Sequence, residues 1–290
     1  MRWSQVTRIT TSLAVLGVAL AALGGSAPRS LTMRSHEAAL DRFAATLVVA
    51  PTLSVPVGPF EPVPCPPEPP LPRRTLELPP QTELVGLLRD DPERLGSASI
   101  GSPTRGRLFG GVELVSSEAI QTEGGHPWGT EVAIRSIERA VRQVRRCFPD
   151  TPRLHVGDIS RQGGGWLRPH RSHQSGLDAD LGYYYLDGPA WYQHATAQNL
   201  DRQRTWALVR ALVDGGTVDM IFIDRSVQEL LKEHVAKEDP EGLALFQVKG
   251  KPREGVIRHA WGHASHLHVR FADPASVALG GRIASVTPRR

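Results

Sequence analysis

Apolar positions along the chain change regime twice. The first regime is the run Leu13 to Leu23 (LAVLGVALAAL), preceded by Arg2 and Arg8 and followed by the small residues Gly25, Ser26 and Ala27. A positive start, an apolar stretch shorter than the roughly 20 residues of a spanning helix, and small residues for cleavage predict a secretory signal over residues 1–27. An uncleaved membrane anchor is the competing reading. In the second regime, residues 28–80, the patterning dissolves. His36 to Val49 allows one short amphipathic helix, and Pro51 to Pro80 is dense in proline. Proline fixes φ and removes backbone donors, so this stretch is expected to be a semi-rigid spacer, holding a domain away from a membrane or lying along that domain's surface.

The third regime, residues 81–290, is patterned as one folded domain. Ile100 to Leu114 is glycine-rich and reads as loops and short strands. Ile134, Ile137, Val141, Val144 and Phe148 recur at spacings of three and four, predicting an amphipathic helix from about Thr130 to Arg146. Arg135, Glu138, Arg139 and Arg142 on its other side are expected to face solvent. Leu154 to Ile159 is a strand candidate, and so is Leu177 to Leu181, where the alternation sets Asp178 and Asp180 on one face. A helix from about Leu200 to Val213 stops at Gly215 and Gly216. Val218 to Ile223 reads as a buried strand, Val227, Leu230, Leu231 and Val235 mark a further helix, and His266 to Phe271 is a period-two strand. Helices and strands mix without strict alternation, which predicts an α+β fold: a central antiparallel sheet flanked by helices.

Composition adds little to this. A formal net charge of +4 over 290 residues is a weak field that selects no target, and no nucleic-acid partner is expected. A membrane is expected to matter only through the signal segment, if that is retained; the oligomeric state is left open. Export does change how Cys65 and Cys147 read: in an oxidising compartment they can pair, with two buried free thiols as the alternative. Neither has the spacing of a zinc knuckle or a C-x-x-C redox motif.

The candidate chemistry lies in histidine. Six of the 11 histidines fall in two windows, His170 and His173 in one and His259, His263, His266 and His268 in the other. On a strand, His266 and His268 share a face while Leu267, Val269 and Phe271 point into a core. Asp180 follows His173 by seven positions, and Gly176 between them can supply the bend that brings both to one ion. Two histidines and a carboxylate leave a fourth tetrahedral position for water, the open arrangement of a catalytic rather than a structural zinc site. Asp178 either orients a ligand histidine or binds solvent. His259 is expected to be a bystander and His126 and His155 structural. Gly163 to Gly165 lacks the lysine and context of a phosphate loop and reads as a flexible rim. Ser160, Ser172 and Ser175 lack a nucleophile elbow, which disfavours a serine hydrolase. Trp166, Tyr183, Tyr184, Tyr185, Trp191 and Tyr192 suit either substrate stacking or core packing.

SHQSGLDAD at Ser172–Asp180 and WGHASHLHVRF at Trp261–Phe271 resemble the penicillin-insensitive murein endopeptidases, part of a wider group of zinc peptidases that includes the lysostaphin-type and D-Ala-D-Ala peptidases and shares H-x(6)-D followed by H-x-H. SIGSPTRGRLFGG, GHPWGTEVAIRSIERAV and HVGDISRQGGG extend the resemblance over about Ser97 to Asp273. It implies one zinc ion held by His173, Asp180 and His268, with His266 as the catalytic histidine and His170 and His263 beside the metal, around the substrate and transition state. It further implies a periplasmic or wall-facing enzyme that hydrolyses peptide cross-links in peptidoglycan. The same site also suits a carboxypeptidase trimming uncross-linked stem peptides, and a non-catalytic zinc-containing wall-binding protein is the reading from another class.

Overall fold

The computed structural model describes residues 65–72, 78–248, 250–251 and 254–287. The expected signal and the helix expected at His36 to Val49 lie outside them. Ten strands and five helices are seen among the described residues. The strands are β1 (Ala98–Ser102), β2 (Arg105–Phe109), β3 (Val112–Glu113), β4 (Ile120–Thr122), β5 (Trp128–Gly129), β6 (Leu154–Val156), β7 (Asp178–Gly182), β8 (Val218–Ile223), β9 (Ile257–His259) and β10 (His266–Phe271). The helices are α1 (Gln81–Asp90), α2 (Glu131–Cys147), α3 (Arg202–Asp214), α4 (Arg225–Glu238) and α5 (Pro274–Val286).

Six strands form one sheet in the order β4-β6-β7-β10-β8-β9. Its centre, β6-β7-β10-β8, is antiparallel, while the outer pairs β4-β6 and β8-β9 are parallel. The expected α+β class and antiparallel central sheet are therefore what is seen, with a parallel pair at each edge. One residue alternation gives the sheet two different faces. Leu267, Val269 and Phe271 are buried on the side packed by Ile134, Ile137, Val141 and Val144 of α2 and by Leu208, Leu212, Val227, Leu231 and Val235 of α3 and α4. His266 and His268, the alternate residues, occupy the other face.

Helix α2 begins where Thr130 accepts the Ala133 amide, a side-chain cap that satisfies one of the donors left unpaired in a first turn. Its polar side is not wholly solvated as expected. Arg139 is buried, donating from Nε to the Pro69 carbonyl and from Nη1 to the Ala211 carbonyl, each at 2.8 Å. Gln143 accepts the Glu68 amide at 2.6 Å. Both reach residues 65–72, which lie against α2, and Cys65 is disulfide-bonded to Cys147 at the helix end. The chain covering Arg139 comes from far upstream in sequence, so helical periodicity alone gave no sign of it.

A smaller cluster of Leu84, Leu95, Ala98, Leu279 and Ile283 joins α1 and α5 to β1. A Cβ at Gly280 would stand 1.9 Å from the Ser99 carbonyl oxygen, so glycine is what lets α5 lie on β1.

Candidate metal centre

Register places the first pair of groups. His268 on β10 stands directly opposite Asp180 on β7, and Arg270 opposite Asp178. Opposed residues share a face, and His268 Nδ1 lies 2.9 Å from Asp180 Oδ1. His173 arrives from the loop before β7. Its φ of 64° is unusual for a residue with a side chain, and it is held by its own amide donating to Asp178 Oδ2 at 3.1 Å. Gly176, at φ 73°, completes the bend expected there, its carbonyl accepting the Thr130 amide at 2.9 Å. His173 Nδ1–H donates to the Ile159 carbonyl at 3.0 Å, which leaves Nε2 with its lone pair facing inward.

Three donor atoms therefore converge. His173 Nε2 lies 3.1 Å from His268 Nδ1 and 3.3 Å from Asp180 Oδ1. Metal–ligand bonds of about 2.0–2.2 Å at tetrahedral angles put donor atoms about 3.4 Å apart, so these residues fit one divalent ion with a position left open. His170 joins from the side: His170, His173 and Asp180 offer ligand atoms all within 4.8 Å of one another, a possible metal-binding triad. The His170 contact is looser, Nδ1 standing 3.6 Å from the second oxygen, Asp180 Oδ2.

Charge around this centre is arranged as though a cation belonged in it. Burial opposes a charged imidazole at His268, but the carboxylates of Asp178 and Asp180 outweigh it and push its pKa up to about 9. Burial likewise opposes charge on the two aspartates, but His268 and Arg270 hold Asp178, and His173 and His268 hold Asp180, well below the usual carboxylate range. His266 contrasts with these. Burial pulls its pKa down to about 4, so it is neutral at neutral pH, with Nδ1 3.2 Å from Ser265 Oγ and Nε2 3.8 Å from Asp180 Oδ1. His263 is lowered too, by burial and then by the charge of His268. Its Nδ1–H donates to the Trp261 carbonyl at 3.0 Å, and its ring lies 5.0 Å from that of His266.

All six expected site residues thus meet at one end of β7 and β10. Asp178, ambiguous in the sequence, is an orienting group. It accepts from His268 Nε2 at 3.1 Å and from Arg270 Nε at 2.7 Å. Asp158 was missed. Its two oxygens bind His126 Nδ1 at 2.9 Å and His170 Nε2 at 3.0 Å, and this bond to Asp158 raises the pKa of His170. The one hint in the sequence was an aspartate inside the strand candidate Leu154 to Ile159, next to Gly157. His126, expected to be structural, is thereby one step from the site. His259 is a bystander as expected, its Nδ1 accepting the Arg225 amide at 3.1 Å. The glycine turn is no flexible rim: Gly163 accepts from Leu108, and a Cβ at Gly164 would stand 2.4 Å from the Gln174 carbonyl oxygen. The aromatic segment divides, Tyr183 to Tyr185 packing in the core while Trp166 and Tyr192 are exposed.

Comparison with known proteins identifies a family. The family model described as penicillin-insensitive murein endopeptidase matches residues 99–280. A penicillin-insensitive murein endopeptidase of Haemophilus influenzae is 29% identical over 210 residues, covering 66% of this chain and 69% of the relative. One from Escherichia coli O1:K1 / APEC is 30% identical over 198 residues, covering 62% and 68%. One from Klebsiella pneumoniae strain 342 is 28% identical over the same length and the same shares. The matched segment spans more than half of the chain and contains every residue of the centre, so this chain belongs to the penicillin-insensitive murein endopeptidase family.

Proposed function

We propose that the protein is a zinc-dependent endopeptidase of the bacterial cell envelope that hydrolyses peptide cross-links in peptidoglycan. The observation that carries the reading is the convergence of His173 Nε2, Asp180 Oδ1 and His268 Nδ1 within 3.3 Å, beside a buried neutral histidine. His173, Asp180 and His268 hold the ion, which when bound supplies Lewis acidity, lowering the pKa of a water and polarising a carbonyl.

The remaining groups move protons and orient. His266 is neutral at working pH and its Nε2 faces the ligand carboxylate, so it accepts the proton of the attacking water and returns it to the leaving amine. His263 and His170 flank the same space, where a donated hydrogen bond stabilises the developing oxyanion. The Cys65–Cys147 disulfide suits an oxidising, wall-facing compartment. No described helix is long and apolar enough to cross a membrane.

Replacing His266 with alanine tests this reading against a non-catalytic wall binder. The expected result is loss of peptidoglycan cleavage with one equivalent of zinc retained. A variant that cleaves as the parent does contradicts the assignment of the base.

A further inference from the structure

The face of the sheet that carries the metal ligands carries a further charged group. His268 on β10 stands opposite Phe222 on β8, and Phe222 opposite Arg258 on β9. Opposed residues share a face, so Asp180, His268, Phe222 and Arg258 form one row across four strands. The neighbouring positions Ile221, Ile223 and Ile257 point the other way, into the helix-packed core. Phe222 joins the parts of the row, its ring centroid 5.6 Å from that of His268 and 6.1 Å from that of His263. Two strand spacings, about 10 Å, separate His268 from Arg258.

Arg258 is part-buried and has no counter-ion. Its Nε is buried without a hydrogen-bond partner, and among the described residues no carboxylate pairs with its guanidinium. Arg270, one row away on the same face, is by contrast paired with Asp178 at 2.7 Å. A buried donor without an acceptor is costly, and folded proteins leave few of them. A guanidinium presents its donors as a planar fork that fits the two oxygens of a carboxylate. Wall peptides offer that group, as the free carboxylates of chain ends and acidic residues. An extended peptide with its scissile carbonyl at the ion covers the span to Arg258 in about three residues.

We infer that Arg258 is a substrate-binding residue that takes a free carboxylate of a stem peptide, within about three residues of the scissile bond. The inference rests on the hydrolytic reading above and deepens it. The ion and its flanking histidines act on a peptide carbonyl as such, whereas a cation beyond Phe222 selects a substrate charged on that side, because a substrate lacking the charge leaves the guanidinium unpaired.

Steady-state kinetics on cross-linked muropeptide dimers, before and after amidation of their free carboxylates, tests this on the parent, Arg258→Gln and Arg258→Lys, with zinc content and thermal melting measured on each. Amidation is expected to lower kcat/KM of the parent about tenfold to a hundredfold, chiefly through KM. Arg258→Gln is expected to show a loss of that size on unmodified dimers, to be indifferent to amidation and to keep its zinc. Arg258→Lys is expected to recover part of the loss, and it carries the same comparison should Arg258→Gln fail to fold. A parent that cuts amidated and unmodified dimers equally well, or variants as sensitive to amidation as the parent, overturns the inference while leaving the hydrolytic reading intact. A parent that leaves both kinds of dimer uncut overturns both.

Discussion

The Nε2 of His268 donates to Asp178 Oδ1 across 3.1 Å while Nδ1 of the same ring faces Asp180. The first contact fixes the second, because a ring that gives its Nε2 proton to a carboxylate has Nδ1 left for a metal ion, which takes the place of the proton that Nδ1 otherwise carries. Arg270, opposite Asp178 in the strand register, holds that carboxylate in turn. Asp178→Asn keeps the shape and removes the charge. Zinc affinity, measured by chelator competition, is expected to fall about tenfold to a hundredfold, with the fold retained.

His170 and His268 differ in how closely each approaches the shared pair His173 and Asp180. The tighter contacts belong to His268, so His268→Ala is expected to leave the purified protein without stoichiometric zinc and without activity. His170→Ala is expected to keep zinc and lose turnover. Metal analysis of the two variants separates a ligand from a neighbour.

Asp158 binds His170 through Nε2 and so turns its Nδ1 towards Asp180. Asp158→Asn is expected to lower kcat about tenfold to a hundredfold, with zinc content and KM little changed. The bond to Asp158 raises the pKa of His170, which must be protonated to donate from Nδ1, so the variant is also expected to shift the alkaline limb of its pH–rate profile to lower pH. A profile of unchanged shape would contradict this role.

Much of the centre was legible in sequence because it is built on short-range regularities. The strand His266–Phe271 alternates, so the faces of His266 and Leu267 follow from pleat geometry alone. The bend at Gly176 and the pairing of Asp178 with Asp180 follow from local rules too. Asp158 and Arg139 were not legible, since each is defined by a segment distant in sequence: His126 and His170 for the first, residues 65–72 for the second. Helix α5 was hidden for a related reason. Gly280 and Gly281 weaken its helical pattern, yet Gly280 is required by the approach of Ser99 from the other end of the domain.

The metal-free protein is expected to have a stability maximum near pH 6.5. Below it, His266, with a folded pKa of about 4, stays neutral while the unfolded chain takes up a proton at its ordinary value, so stability falls as pH drops from about 6.5 towards 4. Above it, His268 keeps its proton up to about pH 9 while the unfolded chain loses it, so stability falls as pH rises over that window. Each limb has a slope of at most roughly 1.4 kcal/mol per pH unit for one proton. Zinc takes the place of the His268 proton, so the alkaline decline is expected to disappear in the loaded protein. Chemical denaturation across pH, with and without zinc, measures both limbs.

The central claim is that this chain hydrolyses peptide cross-links by means of the ion held between β7 and β10. Digestion of purified peptidoglycan with the mature protein, with and without a chelator and read by mass spectrometry of the muropeptides, tests it most directly. Conversion of cross-linked dimers to monomers, abolished by chelation and restored by zinc, is the predicted result. Dimers left intact by protein carrying one equivalent of zinc would contradict it.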